Sequence, residues 1–121
     1  MRYMMIFKPA DSTHIEAGVP PTQEEFEKMG ELIEEMADAG VLIATDGLLP
    51  SALGARVRRA DGSYSVTDGP FAETKELIAG FAIVDVDSKE TAVDLAKRFL
   101  AIAGDGVSEI RQMHPEPAFS R

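Results

Sequence analysis

The sequence predicts an α+β domain in which two helices cover one face of an antiparallel sheet. Two segments repeat apolar residues at helical spacing, and short apolar runs bounded by turn residues predict strands. The predicted order is β-α-β-β-β-β-α-β. With the hairpin at 55–67 treated as an excursion, the order β-α-β-β-α-β remains, which is typical of the ferredoxin-like fold. At 121 residues the chain has the size of a single domain, 1–121.

The first predicted strand and the first predicted helix are separated by a loop. Residues 3–7, YMMIF, form a short apolar run that predicts a buried strand. Residues 9–21 are rich in proline, glycine and polar side chains, which predicts a loop. Residues 22–39 are predicted to be a helix, because apolar side chains fall on one stripe and carboxylates on the opposite face. Thr22 and Glu25 have the spacing of a capping box, which marks the start of this helix.

The middle of the chain predicts a strand followed by a hairpin. Residues 41–44, VLIA, read as a strand that continues or bends as far as Leu49. Residues 55–59 and 64–67 have the alternation of two further strands. The Asp61-Gly62 pair between them is a strong signal for a tight hairpin turn.

The last third of the chain predicts a strand, a helix and a final strand. Residues 77–86, LIAGFAIVDV, are the longest apolar run and are predicted to form the central strand. Ser88 is the expected cap of the second helix, and the glycines at 104–106 are its expected end. Residues 107–113 are predicted to be the last strand, and 114–121 a flexible tail.

The composition argues against several classes of partner and site. The net charge is −9, from 21 acidic and 12 basic residues, so we expect no nucleic-acid partner and no anionic membrane surface. The chain has no cysteine, no EF-hand loop and no His-x-x-x-His pair, so no metal site or cofactor is expected. No signal-peptide pattern and no 18-residue apolar span occurs in the sequence, which leads us to expect a cytoplasmic protein.

The apolar run 77–86 predicts a partner for the sheet. Its side chains are apolar at both alternating sets of positions, so both faces of this strand are expected to be covered. Two helices cover only one face. A second copy of the chain packed sheet to sheet is the simplest cover for the other face, and we therefore predict a homodimer. The alternative is that the segment 50–67 folds over that face.

Residues 67–76, TDGPFAETKE, are the segment with the strongest indication of a ligand site. In the functional interpretation it forms the rim of a cleft that binds a small molecule. Asp68 is then a proton acceptor or anchor for the ligand, and Phe71 is a stacking wall. Glu73 supplies a second carboxylate and Lys75 an ammonium group for an anion. In the structural interpretation Asp68 closes a turn, Phe71 belongs to the core and the charged side chains are solvated.

Two further residues are candidates for the same cleft. Asp46, before a glycine, either approaches Asp68 across the sheet or belongs to a β-bulge. His14 is a weak catalytic candidate, because it lies in the predicted loop at 9–21. The other histidine, His114, is expected in the tail.

A small group of basic side chains lies in the predicted hairpin. Arg56, Arg58 and Arg59 stand close together in an otherwise acidic chain. Arg56 and Arg58 share one face of their strand. The three either hold an anionic ligand or pair with the acidic helix.

The sequence resembles the DGPF family of YCII-related proteins over nearly its whole length. The resemblance is carried by MRYMMIFK at the start, AGVLIATDGLLP at 39–50, GARVRRADG at 54–62, TDGPFAETKELIAGF at 67–81 and EIRQM at 109–113. It implies a dimeric ferredoxin-like α+β fold, of the dimeric α/β barrel type, and a ligand no larger than a small molecule. It does not imply an established reaction. An enzymatic role has been suggested in YCII relatives from a histidine and an aspartate, and neither histidine here can be matched to that position.

Two functions therefore follow from the sequence. In the first, the domain binds a small molecule near 67–76 and acts as a weak acid/base enzyme with Asp68 as proton acceptor. In the second, it is a non-catalytic dimeric interaction or accessory domain, and 67–76 only shapes the dimer.

Overall fold

The predicted α+β fold is confirmed by a computed structural model that describes residues 1–72 and 76–115. Within these residues, six strands and three helices follow one another. They are β1 (Arg2–Pro9), α1 (Thr13–Glu16), α2 (Gln23–Asp38), β2 (Leu42–Gly47), β3 (Ala55–Ala60), β4 (Ser63–Asp68), β5 (Gly80–Asp85), α3 (Lys89–Ala103) and β6 (Gly106–Gln112), with a short 3-10 turn at Ser51–Leu53.

Four strands form one antiparallel sheet in the order β2-β5-β1-β6. The predicted central position of the apolar run is confirmed, because β5 lies between β2 and β1. The strand begins at Gly80, however, and not at residue 77. The Ala79 amide still donates to the Phe7 carbonyl oxygen at 2.8 Å, but residues 77–79 leave the regular ladder to border a cleft.

The core lies between this sheet and the helices α2 and α3. In β1 the burial alternates, and the side chains that point toward the helices are the buried ones. Antiparallel pairing places Tyr3 opposite Val84 and Met5 opposite Ala82 on that face. The buried apolar cluster consists of Tyr3, Met5, Leu32, Met36, Val84, Val86, Ala92 and Ala96.

Both long helices begin with the caps that the sequence predicts. The Thr22 hydroxyl accepts a hydrogen bond from the Glu25 amide, and the Glu25 carboxylate accepts one from the Thr22 amide, each at 3.1 Å. The Ser88 hydroxyl accepts a hydrogen bond from the Thr91 amide at 3.2 Å. These bonds satisfy amides that have no partner inside the helix.

The prediction that 9–21 is entirely loop is wrong, because α1 forms one helical turn inside it. The Asp11 carboxylate accepts hydrogen bonds from the amide and the hydroxyl of Thr13, which starts the turn. Local side-chain bonding of this kind leaves no apolar periodicity, so the sequence pattern does not reveal it.

The hairpin of β3 and β4 forms a separate two-stranded sheet. Its turn is the predicted Asp61-Gly62 pair, and both residues have positive φ, 51° and 78°, as a type I′ turn requires. Every residue of both strands is exposed. The hairpin therefore does not cover the second face of the main sheet, which was the alternative to a homodimer.

The face of the main sheet that points away from the helices, which we call the open face, is apolar at its centre. Met4 and Ile6 of β1 and Phe81 and Ile83 of β5 point to this side and are half-buried, and Val107 of β6 is exposed. No described segment of the chain covers these side chains with a second layer. Among the described residues, none of the helices has both the length and the apolar composition that crossing a bilayer requires.

Candidate functional site

A cleft of about 540 Å³ lies where the predicted site segment meets the end of the main sheet. It is bordered by α1, the 3-10 turn, the base of the hairpin and residues 76–79. Its lining is mostly apolar and includes Ile15, Leu48, Leu49, Leu53, Phe71 and Ile78, with polar groups from Ser12, Glu16, Ser51, Arg56 and Glu76. We call it the Phe71 cleft.

Phe71 is a wall of this cleft. Its ring is half-buried, and the guanidinium carbon of Arg56 lies 3.9 Å from the ring centroid. This is the geometry of a cation–π contact, and it gives the cleft a flat, partly charged surface. The Phe71 amide donates to the Ser51 hydroxyl oxygen at 3.0 Å, which fixes the start of the segment.

A carboxylate that the sequence analysis did not single out lies in the cleft. One Glu16 oxygen accepts a hydrogen bond from the Ser51 amide at 2.8 Å, and the other accepts one from the Ser51 hydroxyl. The hydroxyl and then the amide of Ser51 lower the pKa of Glu16, so this carboxylate is ionised at neutral pH. The two residues are 35 positions apart, and no local pattern connects them.

Gly69 of the DGPF motif is needed because two backbone segments approach closely. A Cβ at this position would lie 1.7 Å from the Ser51 carbonyl oxygen. The Gly69 amide also donates to the Gly54 carbonyl oxygen at 3.0 Å, closing the base of the hairpin, and the Gly69–Pro70 peptide bond is cis. The glycine therefore serves close packing, and its φ is not among the positive ones.

The predicted acid and histidine lie outside the lining of the cleft. Asp68 ends β4, is exposed and pairs with Ala55 across the hairpin. His14 is exposed on α1, although Ile15 and Glu16 beside it line the cleft. Neither catalytic candidate therefore lines the Phe71 cleft, and their proposed roles stay predictions.

The other predicted ligand-binding residues are Asp46, Glu73 and Lys75. Asp46 is exposed at the end of β2, where its carboxylate accepts a hydrogen bond from the Gly47 amide at 3.2 Å, and it does not line the Phe71 cleft. The register shift in β2 occurs between Leu42 and Ala44, so the bulge lies before Asp46. Glu73 and Lys75 lie outside the described residues.

A second cavity, of about 340 Å³, lies between the main sheet and the helices. Its floor is made of small residues on the helix-facing side of the sheet, namely Gly47, Gly80, Ala82 and Ser108, and its walls include Met29, Ile33 and Phe99. A Cβ on Gly80 would lie 2.9 Å from the Asp46 carbonyl oxygen, so the backbone of β2 requires this glycine.

Comparison with known proteins agrees with this architecture. The family model of the YCII-related domain matches residues 1–116. The chain belongs to the YCII-related family. An uncharacterized protein of Rhizobium meliloti (strain 1021) is 42% identical to it over 60 residues, which are 50% of this chain and 48% of the relative. The alignment thus spans about half the length of that relative.

A solved structure shares the fold of this YCII-related chain at low sequence identity. It is the 5-chloro-2-hydroxyhydroquinone dehydrochlorinase (TftG) of Burkholderia phenoliruptrix AC1100, in complex with 2,5-dihydroxybenzoquinone. The TM-score is 0.50 and the identity 10%, with 94% of each chain covered. Similarity at this level shows the fold alone.

Replacing the motif glycine is expected to destabilise this YCII-related domain. Gly69→Ala forces the backbone away from Ser51 and lowers the free energy of unfolding by roughly 3 kcal/mol, measured by urea denaturation. The matched control is Gly30→Ala in α2, where nothing lies within 4 Å of the added Cβ, and it gains about 0.5–1 kcal/mol from helix propensity. Equal stability of Gly69→Ala and the wild type would contradict the close approach.

The pKa of Glu16 provides a test of the Ser51 contact. Because this pKa is lowered in the folded state, the contact stabilises the fold above the unfolded pKa and is lost as pH falls through the folded value. Ser51→Ala removes the hydroxyl donor, so the pKa of Glu16 is expected to rise toward its ordinary value in a carboxyl ¹³C titration. The pKa of Glu24, which is lowered by Lys28, serves as the internal control and stays unchanged. A Glu16 pKa that does not move would show that the hydroxyl is not the cause.

Proposed function

We propose that this YCII-related domain binds a small planar molecule in the Phe71 cleft and works as a homodimer. The observation that carries the first part is the cleft itself, in which an Arg56 guanidinium is stacked on an aromatic wall inside a mostly apolar lining. Ligand sites of this size are commonly apolar with a few fixed polar groups.

The lining defines the chemistry of the ligand. The large apolar area favours a molecule with an unsaturated ring, which can contact Leu48, Ile78 and the Phe71 face. The Glu16 carboxylate is fixed and ionised, so it favours a ligand that donates an O–H or N–H at that end of the cleft. A hydroxylated aromatic or quinone-like compound meets both conditions. TftG binds 2,5-dihydroxybenzoquinone on the same fold, which supports this class by analogy of fold only.

Turnover of the ligand is the finer part of the proposal. Asp68 lies directly before Gly69 and is exposed, so it is available as a proton acceptor to a molecule that extends out of the cleft. The competing function is a non-catalytic interaction domain. The exposed hairpin and the open face favour that function, since both are surfaces for another chain.

The homodimer follows from the open face. Met4, Ile6, Phe81 and Ile83 form a contiguous apolar strip at the centre of the sheet, and strips of this kind mark interaction surfaces. A second copy offers an identical strip, and a twofold axis through the face satisfies both copies at once. In such a pair each sheet is covered by helices on one side and by the other sheet on the second.

Ligand binding can be tested with 2,5-dihydroxybenzoquinone and a panel of hydroxylated benzoic acids. Backbone ¹H–¹⁵N shifts are expected to change at Ser51 and Phe71, and Phe71→Leu is expected to weaken binding about tenfold because the flat wall is lost. The matched control Phe99→Leu alters the second cavity and leaves the affinity unchanged. Asp68→Asn separates the two functions, since it abolishes turnover of a bound compound only if Asp68 is the proton acceptor. Shift changes confined to Met29, Ile33 and Phe99 would place the ligand in the other cavity and refute the proposal.

The homodimer can be tested at the centre of the open face. The wild type is expected to sediment as a dimer at micromolar concentration, and Ile83→Glu as a monomer, because a buried unpaired carboxylate is costly. Phe26→Glu is the control, since Phe26 is an exposed aromatic residue on the opposite layer, and it is expected to remain dimeric. A monomeric wild type at these concentrations would end the proposal.

A further inference from the structure

The β3–β4 hairpin, residues 55–68, projects from the domain as an arm. All the residues of its strands are exposed, and the two strands pack mainly against each other. Nothing in the ligand cleft requires strands of this length, because only Arg56 of the arm lines it. The arm is therefore a feature that the proposed ligand site does not explain.

One face of the arm carries three exposed apolar side chains together with Arg59, whose guanidinium carbon lies 5.7 Å from the Tyr64 ring centroid. Strand pairing places Val57 opposite Val66 and Arg59 opposite Tyr64 on the same side. Val57, Val66 and Tyr64 are 68%, 65% and 70% exposed, although their side chains are large and apolar. A two-stranded hairpin is at best marginally stable alone in water, so an uncovered apolar face of this kind indicates a contact surface.

The base of the arm is closed and is joined to the domain. The Gly69 amide donates to the Gly54 carbonyl oxygen across the base, the Gly54 amide donates to the Ser51 carbonyl oxygen, and Arg56 stacks on Phe71. These contacts restrict the motion of the base, which lowers the entropy lost when the apolar side chains of the arm bind.

We propose that the Val57–Tyr64–Val66 face of the arm packs against a second copy of the chain, at the margin of the open face of that copy. The inference rests on the homodimer proposed above and adds a second surface to it. By the twofold symmetry each copy gives one arm and receives one.

The contact area of a dimer favours a second copy of the chain as the partner of the arm. Four strands about 4.8 Å apart, with six to eight residues at about 3.3 Å each, give the open face roughly 400–500 Å² of flat area. A stable interface buries about 800 Å² of accessible surface on each partner, and the open face supplies the central part of such a contact. One face of the arm covers roughly 200 Å² of flat area, so the arm that each copy gives enlarges the contact by nearly half.

The charge of the arm also fits a second copy. The arm carries three basic and two acidic residues, whereas the whole chain has 12 basic and 21 acidic residues and a net charge of −9. Exposed carboxylates such as Asp46 lie on the edge strand of the open face. Arg59, which lies on the contact face beside Tyr64, therefore meets an acidic surface when two copies associate, and the complementary charge favours that pairing.

The main experiment compares two substitutions on neighbouring residues of one strand. Val66→Asp places a charge on the proposed contact face, and Ser65→Asp places the same charge on the opposite face. Sedimentation velocity over a concentration series is expected to show that Val66→Asp raises the dimer dissociation constant at least tenfold and that Ser65→Asp changes it less than threefold. Equal effects of the two substitutions, or none from Val66→Asp, would overturn the proposal.

Cross-linking identifies what the arm touches. A photoreactive benzoylphenylalanine replaces Tyr64 in the full chain, and ¹⁴N and ¹⁵N copies are mixed before illumination. Mixed-isotope cross-linked peptides that contain residues of β2 or β6 are expected. Cross-links within one copy only, or none to another copy, would overturn the proposal.

The outcomes distinguish the arm from the dimer itself. If Ile83→Glu dissociates the dimer and Val66→Asp does not, the homodimer stands and the arm contact fails. A monomeric wild type makes both fail. If the wild type is monomeric and the arm cross-links to an added nucleic acid or to another protein, the arm binds that partner and not a second copy of the chain.

Discussion

The structure depends on one constraint, which is that two helices cover only one face of a four-stranded sheet. The buried side chains of β1 alternate with half-buried ones, and the half-buried set includes Met4 and Ile6. The same holds for Phe81 and Ile83 on β5. A sheet with apolar residues on both sides is a surface for association as much as a scaffold, because the apolar area outside the helical layer still contacts water.

The second organising feature is Ser51. Its hydroxyl receives the Phe71 amide and donates to Glu16, its amide donates to Glu16, and its carbonyl oxygen leaves no room for a side chain at residue 69. Three segments that are far apart in sequence thus meet at one residue. Ser51 thus links the DGPF motif to α1. The Phe71 cleft is the space left between these two segments.

The sequence was sufficient where the interactions are local. The capping box at Thr22 and the Asp61-Gly62 turn depend on residues within a few positions of each other, and both are present as predicted. The central position of the apolar run is also confirmed, because burial on both sides is visible in its composition. For Phe71 the sequence left two positions open, a cleft wall or the core, because a bulky aromatic residue after a glycine–proline turn suits either.

Other features depend on contacts between distant segments, which a single sequence does not record. Glu16 and Ser51 are joined across 35 positions, and neither belongs to a pattern that identifies a site. The small floor of the second cavity arises because Gly47, Gly80 and Ser108 come from three strands that pair only in the fold. Asp68 was a candidate proton acceptor because of its place in the DGPF motif. In the structure its side chain is exposed, and the carboxylate that lines the cleft is that of Glu16.

The negative charge of the chain opposes the association of two copies. Each copy has a net charge of −9, so two copies repel one another. In physiological salt this repulsion is weak at separations beyond the Debye length of about 8 Å, and it becomes strong when the two surfaces come closer than that. Apolar contact must therefore be strong at the centre, where charged groups are few, and repulsion must be reduced at the margins. In the proposed homodimer the open face supplies the first condition, and Arg59 on the contact face of the arm supplies the second. The strands of the arm pack mainly against each other, so their length is hard to explain by stability within one chain. That length is explained if the arm contacts a neighbouring copy.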